Sequence, residues 1–265
     1  MAKCAYSPPF QMVTRISPVL LSLVLFSRVV SGFAEDAQIA TLLASGQEHD
    51  KKCETRAAIA DFEQADQLQP NRADVLLMLS KQYSDLVIEC KCAADSEKAA
   101  RTAFDYAKRA LQLAPDNSQA HLSMAICYGK MTDYVDNRTK VEYSKLIRDE
   151  TKRSIELNPN DDFAWHVMGR WNSGVANQSR ALKILCKIVY GGLPEASNEE
   201  AAKNLEKAAS LAPQRIIHHQ ELARVYDMLG QKEKARAQWQ TVLDLPAVDK
   251  ADEKAKEEAR KILKA

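Results

Sequence analysis

Apolar residues recur along this chain at the three- and four-residue spacing of helices, and small residues recur with them. One segment places a small residue, a large apolar residue, a second small residue and a leucine ahead of a proline. Its clearest copy comprises Ala58, Phe62, Ala65, Leu68 and Pro70. The same register returns at residues 103–115, 147–159 and 201–213, most weakly in the second of these ranges. Small residues let two helices approach closely, and a proline separates one helix from the next.

A second helical segment follows each of these prolines. It places large residues six and nine positions beyond the proline, a small residue at ten and, in three copies, a tyrosine at thirteen. These tyrosines are Tyr83, Tyr128 and Tyr226. Paired segments of this kind are typical of the tetratricopeptide repeat (TPR). We therefore predict an all-α fold, a TPR-type helical repeat superhelix with inserted helices.

The repeats are longer than the roughly 34 residues of an uninterrupted unit. Their prolines lie 45, 44 and 54 residues apart. We expect the extra residues between the two helices of each unit, around residues 86–96, 132–140 and 173–195. The last unit is regular, and Gly230 is expected to form its turn. The many charged residues at 249–264 predict a terminal capping helix with a solvated outer face.

The longest insertion contains an amphipathic helix at residues 181–190. Its apolar residues form a helical stripe, and Lys183 and Lys187 lie one turn apart on another face. Gly191 and Gly192 are expected to end this helix. Two interpretations stay open: a helix packed across the repeats, or a lid or amphipathic contact with a membrane or ligand.

Two motifs flank this insertion. A Trp-His-x-x-Gly-Arg-Trp stretch precedes it, and Tyr-Gly-Gly-Leu-Pro-x-Ala-Ser ends it. The motif residues singled out are Trp165, Gly169, Trp171, Gly191, Gly192 and Pro194. With these motifs, most of residues 37–264 resembles the regulator of microtubule dynamics protein family. The resemblance implies an all-helical, TPR-like domain. It also implies links to microtubules and the spindle, as in animal members, or to organelle contact sites and phospholipids, as in one membrane-anchored branch.

The first 34 residues differ in composition from the rest. They contain Lys3, Arg15 and Arg28, no acidic residue, and an apolar run over residues 16–26. This layout predicts a secretory signal peptide, followed by the helical domain at residues 35–265. We therefore expect a secreted, periplasmic or luminal protein. An uncleaved membrane anchor, an organelle transit peptide and a cytoplasmic protein are the alternatives, and tubulin is an expected partner only in the cytoplasm.

The charge balance gives no support for nucleic-acid binding. The chain has 37 basic and 36 acidic residues, and without the three basic residues of the leader the balance is 34 to 36, or −2. A near-neutral body lacks the basic surface that phosphate backbones require. We expect no nucleic-acid partner.

The sequence shows no phosphate-binding loop, nucleophile elbow or zinc-protease motif, so we predict a non-enzymatic protein without cofactor or metal. The sequence leaves the role of three cysteines open. Cys53, Cys90 and Cys92 are candidates for a disulfide in an oxidising compartment, for reduced structural thiols or, less favoured, for a metal site. A weaker alternative function is thiol redox chemistry by Cys90 and Cys92.

The concave face of a helical repeat is its usual binding surface. Helical periodicity assigns to that face the apolar and aromatic residues Leu77, Leu122, Ile126, Phe163 and His166. It also places a row of three cations there, each eleven residues after its proline: Lys81, Arg170 and Arg224. Cations among apolar residues suit a peptide segment or an anionic phospholipid. The alternative is that Arg170 and Arg224 pair with acidic residues of adjacent helices.

Overall fold

The computed structural model describes residues 36–264, which form twelve α-helices and one 3₁₀ turn and contain no strand. The predicted leader, residues 1–34, lies outside this range. The helices are α1 (36–51), α2 (Thr55–Leu68), α3 (Ala73–Glu89), α4 (Ala93–Leu113), α5 (Ser118–Met131), α6 (Asn137–Leu157), α7 (Asp162–Ala176), α8 (Arg180–Tyr190), α9 (Asn198–Leu211), α10 (Ile216–Met228), α11 (Lys232–Asp244) and α12 (Lys250–Lys264). The 3₁₀ turn is Thr132–Tyr134.

The helices form two layers. The inner helices α3, α5, α7 and α10 contact one another in series, and α12 extends the series at its end. The outer helices α4, α6, α9 and α11 pack against inner helices on either side. Because successive inner helices contact one another more than successive outer helices do, the stack curves around the inner layer and forms a concave groove. The predicted all-α TPR-type superhelix is confirmed.

Two of the three insertions mainly lengthen helices, and the second also contains the 3₁₀ turn Thr132–Tyr134. The outer helices α4 and α6 have 21 residues each, whereas α2 and α9 have 14. Only the third insertion forms an additional helix, α8, which contacts α6 and buries Cys186. The insertions therefore lie where periodicity placed them, but most residues of the first two belong to the neighbouring α-helices, apart from breaks at residues 90–92 and 132–136.

The small residues of the repeat pattern lie where inner and outer helices meet. Ala58, Ala65, Ala103, Ala107, Ala110, Ala201 and Ala208 are all fully buried. The third unit uses polar residues instead, and the Thr151 hydroxyl donates a hydrogen bond to the Ile147 carbonyl oxygen at 2.6 Å. That bond satisfies a hydroxyl that burial would otherwise leave without water.

In three units, the large residue six positions beyond the proline forms a hydrogen bond with the carbonyl oxygen of that proline. His121 Nε2 lies 2.8 Å from the Pro115 carbonyl oxygen, and His219 Nε2 lies 2.9 Å from that of Pro213. Trp165 Nε1 donates to the Pro159 carbonyl oxygen at 2.9 Å. The first turn of each of these inner helices is thereby fastened to the end of the preceding outer helix. A backbone acceptor near the helix junction accounts for histidine or tryptophan at a position that packing alone would give to leucine.

The predicted turn and capping helix at the C-terminus are both present. Gly230 adopts a φ of 72° between α10 and α11, a conformation that glycine takes without steric cost. The capping helix α12 buries Ala255 and Ala259 in a cluster with Trp239, which is 1% exposed. The opposite face of α12 is charged and exposed, as the end of a repeat stack requires.

Candidate binding groove

The apolar residues predicted for the groove divide into two groups. Leu77, Ile126 and Phe163 are half-buried on inner helices and keep part of their surface available. Leu122 and His166 are only 3% and 1% exposed and belong to the core. Helices α5 and α7 bury a larger part of their circumference than the pattern indicated, because each contacts two inner helices as well as its outer partners.

Two of the three predicted groove cations already have carboxylate partners in the chain. Lys81 Nζ lies 2.6 Å from Asp50 Oδ1 and 3.0 Å from Asp85 Oδ2. Burial disfavours the charged form of Lys81, but Asp85 and Asp50 outweigh it and raise the pKa of the amine. A ligand anion at this position would have to displace a carboxylate.

Arg224 is neutralised in the same way at the other end of the groove. Its guanidinium donates to Glu258 of α12, with Nε 3.1 Å from Oε1, and to Glu221 Oε1 at 2.7 Å. Burial opposes the charge of Arg224, yet these two carboxylates raise its pKa. For Arg224, the alternative expected from the sequence is therefore the correct one: this arginine pairs with Glu258, an acidic residue of an adjacent helix.

Arg170 differs from both. It is exposed on α7, and within residues 36–264 it forms no ion pair or side-chain hydrogen bond. Lys130, at the end of α5, lies close enough for its charge and that of Arg170 to repel each other, and it also lacks an ion pair in the described chain. Burial lowers the pKa of Lys130; Asp85 opposes this shift, and the positive charge of Arg170 adds to it. The middle of the groove thus holds two adjacent cations without a carboxylate contact.

Lys130 is a groove residue that the sequence pattern missed. The corresponding position in its unit, eleven residues after Pro115, is occupied by Ile126. Lys130 lies four residues further on, which is one helical turn along the same face. A search for cations one turn beyond the row would have found it.

A hydrogen-bonded network of polar groups connects α7 and α10, and its buried member His166 lies one helical turn before Arg170. His218 Nε2 lies 2.7 Å from Asp162 Oδ2, and Arg215 also contacts this carboxylate at 3.0 Å. His218 Nδ1 is 3.0 Å from His166 Nδ1. Because His218 donates through Nε2 to Asp162, its Nδ1 accepts, and His166 Nδ1–H donates to it. This leaves His166 Nε2 as a buried acceptor without a hydrogen-bond partner among the described residues.

The two hydrogen-bonded histidines, His166 and His218, are both held in the neutral form. Burial lowers the pKa of His166 well below its ordinary value; a proton on His218 would add to this shift, and the charges of Arg170 and Arg215 act in the same direction. Burial also lowers the pKa of His218, although Asp162 opposes the shift. His166 is therefore a core residue whose protonation the surroundings disfavour, and it does not line the groove.

The residues of the two flanking motifs have structural contacts. Trp171 is 8% exposed and donates through Nε1 to the Ser144 carbonyl oxygen at 2.8 Å. Gly169 packs directly against the side chain of Leu205 on α9. Gly191 and Gly192 have φ values of 75° and 93° and end α8, and Pro194 lies in the loop that follows. These residues hold α6, α7, α8 and α9 in place next to the groove.

The candidate thiols lie at helix ends in the first part of the stack. Cys53 and Cys92 are exposed and Cys90 is half-buried, and all three are free thiols in the structure. Cys90 follows α3 and Cys92 precedes α4. The disulfide and the redox function stay predictions. Within the described residues, no three His, Cys, Asp or Glu side chains are arranged to hold a metal ion.

The two layers and the groove define a TPR-type helical scaffold. The structure is similar to a thermophilic TPR protein of Thermus thermophilus, with a TM-score of 0.65 and 16% identity, covering 86% of this chain and 100% of that one. Residues 37–265 match the family model of Regulator of microtubule dynamics protein 1-3. The chain belongs to this family, and the resemblance based on its motifs is confirmed.

Individual relatives match over part of their length. Regulator of microtubule dynamics protein 1 of Bos taurus is 30% identical over 196 residues, which are 72% of this chain and 61% of that protein. Regulator of microtubule dynamics protein 2 of Homo sapiens is 26% identical over 185 residues, 69% of this chain and 45% of that protein. The chain spans about half the length of the curated relatives it matches. Among its described helices, none combines the length and apolar character needed to span a bilayer.

Proposed function

We propose that the chain is a non-enzymatic scaffold whose concave groove binds an extended ligand through an anionic group held by Lys130 and Arg170. The observation that carries this proposal is the pair of neighbouring cations without carboxylate contacts in the described chain. Two like charges in a partly buried site repel each other, and a carboxylate or phosphate between them removes that cost and gains charge-assisted hydrogen bonds. The half-buried Ile126 and Phe163 on the same two helices would contact the apolar body of such a ligand.

A peptide segment fits this arrangement best. TPR-type grooves are long and shallow, and an extended peptide offers a carboxylate together with apolar side chains at regular intervals. An anionic phospholipid shares the same chemistry, so the two ligands are distinguished by experiment. Lys81 and Arg224 would contribute less than predicted from sequence, because each is already neutralised within the chain.

The test is a charge reversal in the middle of the groove. We expect the double variant Lys130→Glu/Arg170→Glu to weaken binding of labelled acidic peptides at least 50-fold, since a hydrogen bond to a charged group contributes about 1.5–3 kcal/mol. Fluorescence anisotropy measures the affinity, with dioctanoyl phosphatidate as a competitor that represents the lipid. Lys203→Glu is the matched control, because Lys203 is an exposed lysine of the outer helix α9. An affinity that the double variant leaves unchanged rules out the groove site.

Family membership favours a second candidate function, the regulation of microtubules in the cytoplasm. The relatives that match this chain are named for it. We expect the protein, at micromolar concentration, to co-sediment with polymerised tubulin if it has this function, and its absence from the pellet would argue strongly against it. Repeating the assay with Lys130→Glu/Arg170→Glu shows whether the groove makes the contact. An exported chain is compatible with the first function and not with this one.

A further inference from the structure

The inserted helix α8 leaves most of its apolar surface uncovered. The exposed residues are Leu182 (40%), Ile184 (51%), Leu185 (52%), Ile188 (77%) and Val189 (54%). Together they expose on the order of 500 Å², within the range of the largest apolar patch of a typical monomer and concentrated here on a single helix of three turns. In the described chain α8 packs on α6, with Cys186 as its buried contact. This face is what we call the α8 patch.

The charged residues of α8 itself are all positive. At 100° per residue, Ile184 and Ile188 lie at the edge of the apolar arc, and Arg180 and Lys187 border them on the polar side. No acidic residue occurs between Gln178 and Pro194. The helix therefore presents an apolar stripe with a cationic border, the arrangement of helices that lie in the interface of a bilayer.

A cationic cleft opens beside the same patch. It has a volume of about 380 Å³ and lies between Val189 of α8 and the N-terminal half of α6. Arg138 and Lys145 line it together with Glu142, which pairs with Arg138 at 3.3 Å. Lys145 makes no ion pair with a described residue. A lipid headgroup next to the apolar patch would meet this lysine.

The α8 patch is a poor match for a second copy of the chain. Stable protein interfaces bury roughly 800 Å² on each partner, which exceeds what this face offers. Packing two copies of α8 together would also bring Arg180 and Lys187 of both near one another. A bilayer needs no minimum footprint, because each apolar side chain gains transfer free energy as it enters the interface.

We propose that α8 docks the scaffold on the surface of an anionic membrane, with Ile184, Leu185 and Ile188 inserted among the acyl chains. Arg180, Lys187 and Lys145 lie at the level of the headgroups. This contact is separate from the groove, because α8 packs on the outer helix α6, whereas Lys130 and Arg170 lie on the inner helices α5 and α7. The groove stays accessible while the protein is bound to the membrane.

Vesicle flotation of the full chain tests this proposal. We expect binding to vesicles of 70% phosphatidylcholine and 30% phosphatidylserine, and at least tenfold weaker binding to phosphatidylcholine alone, since each basic residue near an anionic surface contributes about 1 kcal/mol. Ile184→Ser/Ile188→Ser should weaken binding at least tenfold. Ile88→Ser is the matched control, because Ile88 is 71% exposed at the end of α3. Hydrogen exchange should slow in residues 180–190 when phosphatidylserine vesicles are added.

Three results would overturn the proposal. The first is that the α8 patch does not bring about flotation. In that case either the full chain does not float with phosphatidylserine vesicles, or Ile184→Ser/Ile188→Ser floats as well as the unmodified chain. The second is that Lys130→Glu/Arg170→Glu abolishes flotation while the α8 variant does not, which would place the lipid in the groove. The third is a dimer in solution that Ile184→Ser/Ile188→Ser converts to monomer, which would assign the patch to a second copy.

Discussion

Gly169→Val is expected to lower the free energy of unfolding by about 3 kcal/mol, at the upper end of the usual cost of adding methyl groups to a packed core. A Cβ at position 169 would lie 2.6 Å from Leu205 Cγ and 3.2 Å from the Ala201 carbonyl oxygen. Leu205 is fully buried and cannot turn away, and the carbonyl belongs to the backbone of α9. The helices α7 and α9 would therefore have to separate. Urea unfolding followed by circular dichroism measures the change.

The same helix provides the control for this prediction. Gly174 also lies in α7, but a Cβ added there meets no atom within 4 Å. Gly174→Ala should therefore raise the free energy of unfolding by about 0.5–1 kcal/mol, since alanine is the better helix former. In the double variant Gly169→Ala/Leu205→Val the two changes should cost less together than their sum, because the smaller side chain removes the contact. A loss at Gly169 no larger than that at an exposed helical position would contradict close packing as the reason for this glycine.

Gly169 illustrates what the sequence makes predictable. Its position ten residues after Pro159 repeats in every unit as Ser80, Ala125 and Ala223, so the need for a small residue follows from the register alone. The pairing of helices and the two layers are predictable for the same reason, since each unit packs on its neighbours in chain order. The forms of the first two insertions were not predictable, because a lengthened helix and a separate helix have the same apolar spacing.

The candidate site was less predictable because its electrostatics depend on residues far apart in the chain. Lys81 is neutralised by Asp50, 31 residues earlier, and Arg224 by Glu258, 34 residues later. Both partners lie on neighbouring helices whose rotation about their own axes decides the contact. The 3.6-residue period predicts on which side of its helix a cation lies, but it does not predict which carboxylate of a neighbouring helix contacts that cation. Of the three cations in the predicted row, Arg170 alone has no carboxylate partner within the described residues.

The buried histidine chain predicts a loss of stability in mildly acidic solution. The pKa of His166 in the folded protein lies well below 6.5, so the unfolded chain binds the proton more readily. Stability is therefore full above about pH 6.5 and falls as the pH is lowered toward the folded-state value, by about 1.4 kcal/mol for each pH unit. Between pH 6.5 and pH 5 we therefore expect the free energy of unfolding to fall through protonation of His166, with a further loss from His218, whose pKa is also lowered by burial.

Urea titrations at pH 7, 6 and 5 measure this loss, and the lower limit keeps it separate from the carboxylates, whose ordinary pKa values lie nearer 4. His166→Gln removes the titrating ring and should reduce the loss by at least half. His49→Gln should leave it in place, because His49 is half-buried on α1 and lies outside the chain formed with Asp162. A protein equally stable at pH 5 and pH 7 would show that His166 takes up its proton without cost. That result would require a hydrogen-bond partner for the buried His166 Nε2 in solution, and the most direct one is a water molecule.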